Sequence, residues 1–322
     1  MIVTLTLNPA LDVTVDADQV GPTDKIRCRA ERYDAGGGGV NVARFAHALG
    51  APVLAVFTAG GPMGAHLVKL VDDAGVRNAP VAVHGITRQS LTVNERSTGR
   101  QFRFVLPGPI VSAEEQARCL DVLREACAGA EFMVASGSLP PGVPPDFYQR
   151  VADICRRQGV RLILDTSGGS LTHITSGVSV LKPSLRELRE CVGRPLVSEA
   201  EQSAAARELI ERGITDTVVV SLGAQGALLV TAGECCRFDA ISVPAISGVG
   251  AGDAMVAGIV VALSRSWPMN TAVRYGIAAA TAKLQTLGTA AFLPAEVERY
   301  FEGGCDGDRL SDLPPGLETR TR

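Results

Sequence analysis

Histidine and aromatic side chains are scarce in this sequence, and the shortage removes several chemistries at once. Only four histidines occur (His47, His66, His84, His173), none spaced to another as metal ligands are, and the eight cysteines include no C-x-x-C pair. A zinc centre is therefore not expected, and the cysteines read as reduced thiols. Aromatics make up 4% of the chain and its net charge is −3, so neither a base-stacking surface nor a cationic nucleic-acid footprint is present. No apolar run approaches the roughly 18 residues of a membrane span. Met1 leads straight into the strand-like Ile2-Val3-Thr4-Leu5-Thr6-Leu7, without a basic and apolar leader. The expectation is a cytoplasmic protein with no nucleic-acid or membrane partner.

What the chain does have is apolar content, 46% over 322 residues, ample for one large core. β-rich runs at 2–7, 53–58, 131–135, 160–165, 178–182, 217–221 and 227–231 alternate with helical periodicity at 40–49, 63–75, 113–128, 145–158 and 198–212. Two apolar helical stretches, 253–265 and 271–285, follow. Strand and helix taking turns predicts an α/β fold with a mainly parallel sheet and helices on both faces. Near-continuous apolar strands such as Thr217-Val218-Val219-Val220 suit a sheet buried on both sides. Residues 12–34 and 88–106 break the rhythm, because polar and apolar residues alternate there, as in Leu91-Thr92-Val93-Asn94-Glu95. They predict a small half-exposed sheet standing off the main body as a lid, with a face suited to a homodimer contact. The Gly-, Asp- and Pro-rich segment 303–322 reads as a disordered tail.

The sharpest chemical signal is Gly248-Val249-Gly250-Ala251-Gly252-Asp253, running into an apolar helix. Small residues let backbone N–H groups converge, and the helix dipole adds positive potential where they point. That suits the spreading negative charge of a phosphoryl group in flight. Asp253 at the helix start could take a proton from an attacking hydroxyl. Taken alone, the run fits an ordinary turn and N-terminal helix residue equally well. No Lys-Ser/Thr follows, so it is not a Walker loop, and no clear Rossmann strand precedes it. A second run, Gly36-Gly37-Gly38-Gly39-Val40-Asn41, allows close backbone approach to a polyhydroxylated ligand, with Asn41 offering donors and acceptors. Asp12 could accept from sugar hydroxyls or make a turn.

The two glycine motifs, in this order and separation, resemble the paired signatures of the PfkB-type (ribokinase-like) carbohydrate kinases over roughly residues 1–302. Further runs narrow the likeness: Thr87-Arg88-Gln89, Phe102-Arg103-Phe104-Val105-Leu106-Pro107-Gly108, Ser136-Gly137-Ser138-Leu139-Pro140-Pro141-Gly142, Leu181-Lys182-Pro183 and Val220-Ser221-Leu222-Gly223-Ala224-Gln225-Gly226. The set resembles above all the minor, isozyme II type of bacterial 6-phosphofructokinase, with 1-phosphofructokinases and tagatose-6-phosphate kinases as near relatives.

The resemblance implies a three-layer α/β/α sandwich with a β lid, and MgATP-dependent phosphorylation of a sugar phosphate, fructose 6-phosphate first among them. It makes Asp253 the catalytic base and Gly250, Ala251 and Gly252 the anion hole. Asp12, Gly37, Gly38 and Asn41 would hold sugar hydroxyls, with Ser136 and Ser138 nearby. Lys25, Arg88 and Arg103 would grip the phosphate already on the substrate, as two guanidiniums and an ammonium suit a dianion. Lys182, Ser184, Ser221, Gly223, Gln225 and Gly226 would line the ATP site, and Glu187 would organise Mg²⁺ through water.

Two departures stand out. Ser184 occupies a position where the family usually carries asparagine, three residues before the glutamate. Ser247 and Val249 could offer oxygens to K⁺, but the facing run Gln285-Thr286-Leu287-Gly288-Thr289-Ala290 lacks the expected asparagine and arginine, which speaks against potassium activation. Outside the enzymes, the remaining reading is a non-catalytic sugar-phosphate sensor.

Overall fold

A computed structural model describes residues 1–22, 25–166 and 168–303. The chain runs β1 (Ile2–Thr6), β2 (Ala10–Ala17), β3 (Arg29–Gly36), α1 (Gly38–Ala48), β4 (Val53–Ala59), α2 (Gly61–Asp73), β5 (Arg77–Ala82), β6 (Arg88–Glu95), β7 (Gln101–Val105) and α3 (Ala113–Cys127). It continues through β8 (Phe132–Ser136), α4 (Phe147–Gln158), β9 (Arg161–Asp165), β10 (Val178–Leu181), α5 (Leu185–Val192), α6 (Glu199–Glu211), β11 (Thr215–Ser221), β12 (Ala227–Thr231) and β13 (Cys235–Phe238). Three helices close it, α7 (Ala251–Ser264), α8 (Met269–Leu284) and α9 (Pro294–Gly303).

Among the described residues, nine strands make one sheet in the order β13-β12-β11-β10-β9-β8-β1-β4-β5. Only β12 and β13 run antiparallel to their neighbours. Successive side chains of a strand point to opposite faces, and the two faces fill separately. Ile2 and Val134 pack with Phe45, Leu67, Val256, Tyr275 and Phe301 from α1, α2, α7, α8 and α9. Val3, Leu5 and Met133 pack with Leu120, Val151, Leu188 and Leu209 from α3, α4, α5 and α6. The three-layer α/β/α sandwich expected from the sequence is therefore the observed architecture. Every predicted strand and helix of the main body is present.

The reading omitted β5, β13, α5 and α9. Pro80 inside β5 argues against a central strand, and β5 lies at the sheet edge, where proline is tolerated. The segment expected as a tail lies outside the described residues from 304 onward.

Helices α7 and α8 approach through glycine. A Cβ on Gly258 would stand 2.8 Å from Gly276 Cα and 2.9 Å from the Tyr275 carbonyl oxygen. Gly258→Leu should therefore lower stability by about 1–3 kcal/mol through overpacking. An unchanged urea midpoint would show that the two helices do not pack this tightly.

Four further strands form a smaller sheet, ordered β3-β2-β6-β7. In register, Tyr33, Val13, Leu91 and Phe104 lie on one face, which carries most of its apolar side chains. Asp12, Ser90, Thr92 and Arg103 lie on the other. The alternation visible in the sequence is thus a division between an outward apolar face and a polar face turned toward the main sheet.

Candidate active site

In the large sheet the chain first moves from β1 to β4 and β5, then returns to place β8 on the other side of β1. Ligand crevices of parallel sheets form at such a reversal, beyond the carboxyl ends of the strands. A cleft of about 240 Å³ lies there, lined by Asp12, Gly37, Gly38, Asn41, Arg88, Ser90, Arg103, Ser136, Asp165, Thr166, Glu187, Val249, Gly250 and Asp253 among others. Residues from both glycine motifs, from the ends of β8 and β9 and from the smaller sheet meet in it.

The four-glycine run has a steric reason. A Cβ on Gly38 would lie 2.2 Å from Ser136 Oγ, and one on Gly39 would lie 2.3 Å from the Leu5 carbonyl oxygen. Gly37, which caps α1, has φ 109°, a conformation that favours glycine. The start of α1 is thereby pressed against β1 and β8, where Thr6 Oγ1 accepts the Val40 N–H at 2.8 Å. One turn in, Asn41 Nδ2 donates to Asp253 Oδ2 at 2.9 Å.

Asp253 sits in the first turn of α7, after the left-handed Gly250 cap (φ 79°). The first N–H groups of a helix lack partners within it, so this turn presents donors beside a carboxylate. Burial is the main cause that raises the Asp253 carboxyl to about 7, and Asp165 adds to it. The Asn41 hydrogen bond and Lys182 oppose the rise.

Asp165 ends β9, and Lys182 follows β10. Lys182 Nζ lies 3.1 Å from Asp165 Oδ1, with both side chains largely buried. Burial pushes the Asp165 carboxyl up, Lys182 pulls it down and Glu187 raises it further. A Cβ on Gly252 would come within 3.9 Å of Lys182 Nζ, so this side chain ends beside the first turn of α7.

Ser184 and Glu187 form a capping box at the start of α5. Ser184 N and Oγ both donate to Glu187 Oε2 at 2.8 Å, and Ser184 Oγ accepts the Glu187 N–H at 3.3 Å. Serine in place of asparagine thus acts as a helix cap that fixes the Glu187 carboxylate at the cleft.

Ser184 pairs in parallel with Ser221, setting the turn 223–226 at the adjacent strand end. Ser221, Gly223, Gln225 and Gly226 do not line the cleft itself. Gly226 closes a hairpin at φ 88°, where a Cβ would lie 2.0 Å from the Phe238 carbonyl oxygen.

On the smaller sheet, Asp12 is raised to about 6 by burial, against the pull of Arg103 and Arg88. Arg88 Nε and Nη2 donate to the Asn8 carbonyl at 3.3 and 3.0 Å, and Nη1 donates to that of Leu106 at 3.0 Å. Part of its guanidinium therefore braces the sheet against the main body. Lys25 is exposed and does not line the cleft with the two arginines. Ser138 also stays outside; its Oγ accepts from Asn8 Nδ2 at 3.2 Å. Val249 lines the cleft, whereas Ser247 lines a neighbouring hollow of about 470 Å³ between the β6–β7 turn and residues 245–248 and 287–288.

Sequence reasoning missed Asp165, Thr166 and Lys283. An acidic residue ending an apolar parallel strand was a usable signal for Asp165. Lys283 resembled any basic residue near a helix end, yet it is fully buried. Burial pushes its ammonium down to about 8, against the pull of Asp34.

Residues 5–296 match the model of the pfkB family carbohydrate kinases. The ATP-dependent 6-phosphofructokinase isozyme 2 of Mycobacterium tuberculosis is 60% identical over 301 residues, covering 94% of this chain and 89% of that protein. Phosphofructokinase-2 from Escherichia coli, crystallised with potassium, superposes with a TM-score of 0.90 at 37% identity, covering 94% of this chain and 98% of that one. The same E. coli protein with fructose-6-phosphate, and in its tetrameric inhibited form, gives a TM-score of 0.88 at 36% identity with the same coverage. The chain belongs to the pfkB family of carbohydrate kinases.

Proposed function

We propose that this protein transfers the γ-phosphoryl group of ATP to the 1-hydroxyl of fructose 6-phosphate. The observation that carries the proposal is the Asn41–Asp253 pair at the start of α7, in one cleft with Arg88 and Arg103. Asp253 takes the hydroxyl proton as the oxygen attacks phosphorus, and the bond to ADP's oxygen breaks in line. The α7 N–H groups and Lys182 stabilise charge on the phosphoryl oxygens. Asn41 holds the carboxylate in place. Mg²⁺ typically binds one or two carboxylates plus substrate phosphates and water; Asp165 and Glu187, which line the cleft, would hold it there, where it would neutralise charge on the nucleotide phosphates.

Arg103, on the polar face of the smaller sheet, grips the substrate's 6-phosphate from above, and the sheet acts as a lid. Its opposite face leaves Leu91 37% and Phe104 51% exposed, which supports burial against a second copy in a homodimer. Lys25 would then reach the phosphate of the partner's cleft or stay in solvent.

Coupled detection of ADP across fructose 6-phosphate, tagatose 6-phosphate, fructose 1-phosphate and fructose tests the assignment. Fructose 6-phosphate should give the highest kcat/KM, and preference for another acceptor would overturn it. Binding without ADP formation would leave a sugar-phosphate sensor instead. Arg103→Ala should raise KM for the phosphosugar roughly 10- to 100-fold, matching one charged hydrogen-bonding partner, with kcat little changed. Equal loss in kcat would mean that Arg103 acts on the reacting phosphoryl group.

A further inference from the structure

The family relative crystallised with potassium raises the question of whether this chain can accept such an ion beside the anion-hole turn. The loop that would supply its carbonyls is already committed. Lys283, fully buried at the end of α8, donates from Nζ to Thr286 Oγ1 at 2.6 Å and to the Gly288 carbonyl at 2.8 Å. Arg44 Nη1 donates to the next carbonyl, of Thr289, at 3.1 Å and to that of Ala35 at 2.9 Å. Two side-chain cations thus occupy consecutive carbonyls of one loop. Asp34 supplies the nearby negative charge: its Oδ1 accepts from Arg32 Nη2 at 2.7 Å, while its Oδ2 is buried without a hydrogen-bond partner, and a Cβ on Gly288 would lie 3.0 Å from that oxygen. A third cation in this space would meet like charge on two sides.

The same lysine touches the catalytic turn. A Cβ on Gly250 would lie 3.5 Å from Lys283 Cε, so the side-chain stem supports the cap from which α7 starts. Leu284, the next residue, accepts the N–H groups of Ile246 and Ser247 at 2.7 and 3.2 Å, and the Gln285 side chain donates to the Pro244 carbonyl. The loop held by Lys283 is therefore fastened to the segment that carries the anion hole.

We propose that Lys283 is a built-in monovalent cation: its ammonium replaces a bound K⁺, fastens loop 284–290 to the turn before α7, and makes turnover independent of potassium. An ammonium offers three donors and one positive charge to convergent oxygens, which is the service a bound K⁺ performs. Lys283 is a positioning residue, acting through the geometry of the α7 N–H groups. The proposal rests on the phosphoryl-transfer reading.

The test compares the parent with Lys283→Ala and Lys283→Met at about pH 7, where this ammonium is charged, in K⁺ or tetramethylammonium at equal ionic strength. The parent should show the same kcat and the same Tm in both salts. Lys283→Ala should lose roughly 10- to 100-fold in kcat, as expected for a displaced catalytic constellation. K⁺ should restore much of that loss and raise the variant's Tm, and tetramethylammonium should do neither. Lys283→Met, which fills the space without charge, should be slow in both salts. Strong activation of the parent by K⁺, or parent-like turnover of Lys283→Met, would overturn the proposal. A parent that forms no ADP with any acceptor would instead sink the functional reading, while the Tm comparison would still decide the cation question.

Discussion

Asp253→Asn is expected to lower kcat by about 10²–10⁴, the usual share of a general base, while leaving substrate affinity near the parent's. The pH dependence should separate the roles further. A base must be deprotonated to act, and burial holds this carboxyl at about 7 in the free protein. The parent's kcat/KM should therefore fall tenfold per unit as pH drops below about 7, and the variant's residual rate should lack that limb.

Stability should move the other way. The folded-state pKa of Asp253 lies above its ordinary value of 3.8. Ionising it costs free energy in the fold but not in the unfolded chain, and the loss grows as pH rises from about 4 to about 7. Asparagine removes that cost, so the variant should be more stable above pH 7, by at most about 4 kcal/mol, with the difference vanishing near pH 4. Calorimetry at both pH values checks this. Parent-like turnover, or an acid limb retained in the variant, would remove Asp253 from its role.

Lys182→Met should produce the largest change in stability, a loss of about 3–5 kcal/mol near neutral pH, as for removal of one member of a buried ion pair. Lys182 is 4% exposed and Asp165 is 14% exposed, with 3.1 Å between them. Without the ammonium, Asp165 faces burial and Glu187 alone, both of which raise its pKa. Its folded-state value then exceeds the unfolded one by more than before, and stability declines further as pH climbs between the two. The loss should shrink toward about pH 4, where unfolded carboxylates also protonate. Adding Asp165→Asn should recover much of the stability, because two neutral partners leave no stranded charge. If the double variant is no more stable than Lys182→Met, the coupling between these two residues is not the cause.

Much of this architecture was written in local sequence. The apolar strands and periodic helices of the main body carry their own patterns, and the steric demand at Gly37, Gly38 and Gly39 shows as a glycine run. The alternation in 88–106 announced a two-faced sheet. What could not be read depends on tertiary neighbours. Asp165 matters because the end of β9 falls beside Lys182. Lys283 is buried because α8 stops under Gly250. Lys25 and Ser138 carry suitable chemistry, yet the fold turns Lys25 to solvent and gives Ser138 to Asn8. Ser184 looked like a weakened motif and is a cap, since a helix that the periodicity did not signal begins just after it.

The contact between Asn41 and Asp253 joins positions 212 residues apart. Asn41 is synthesised long before Asp253, and α1 packs its Val42 and Phe45 against α7 and α8, so this side of the cleft cannot close until the C-terminal helices are made. Such distant closure slows folding relative to locally wired proteins.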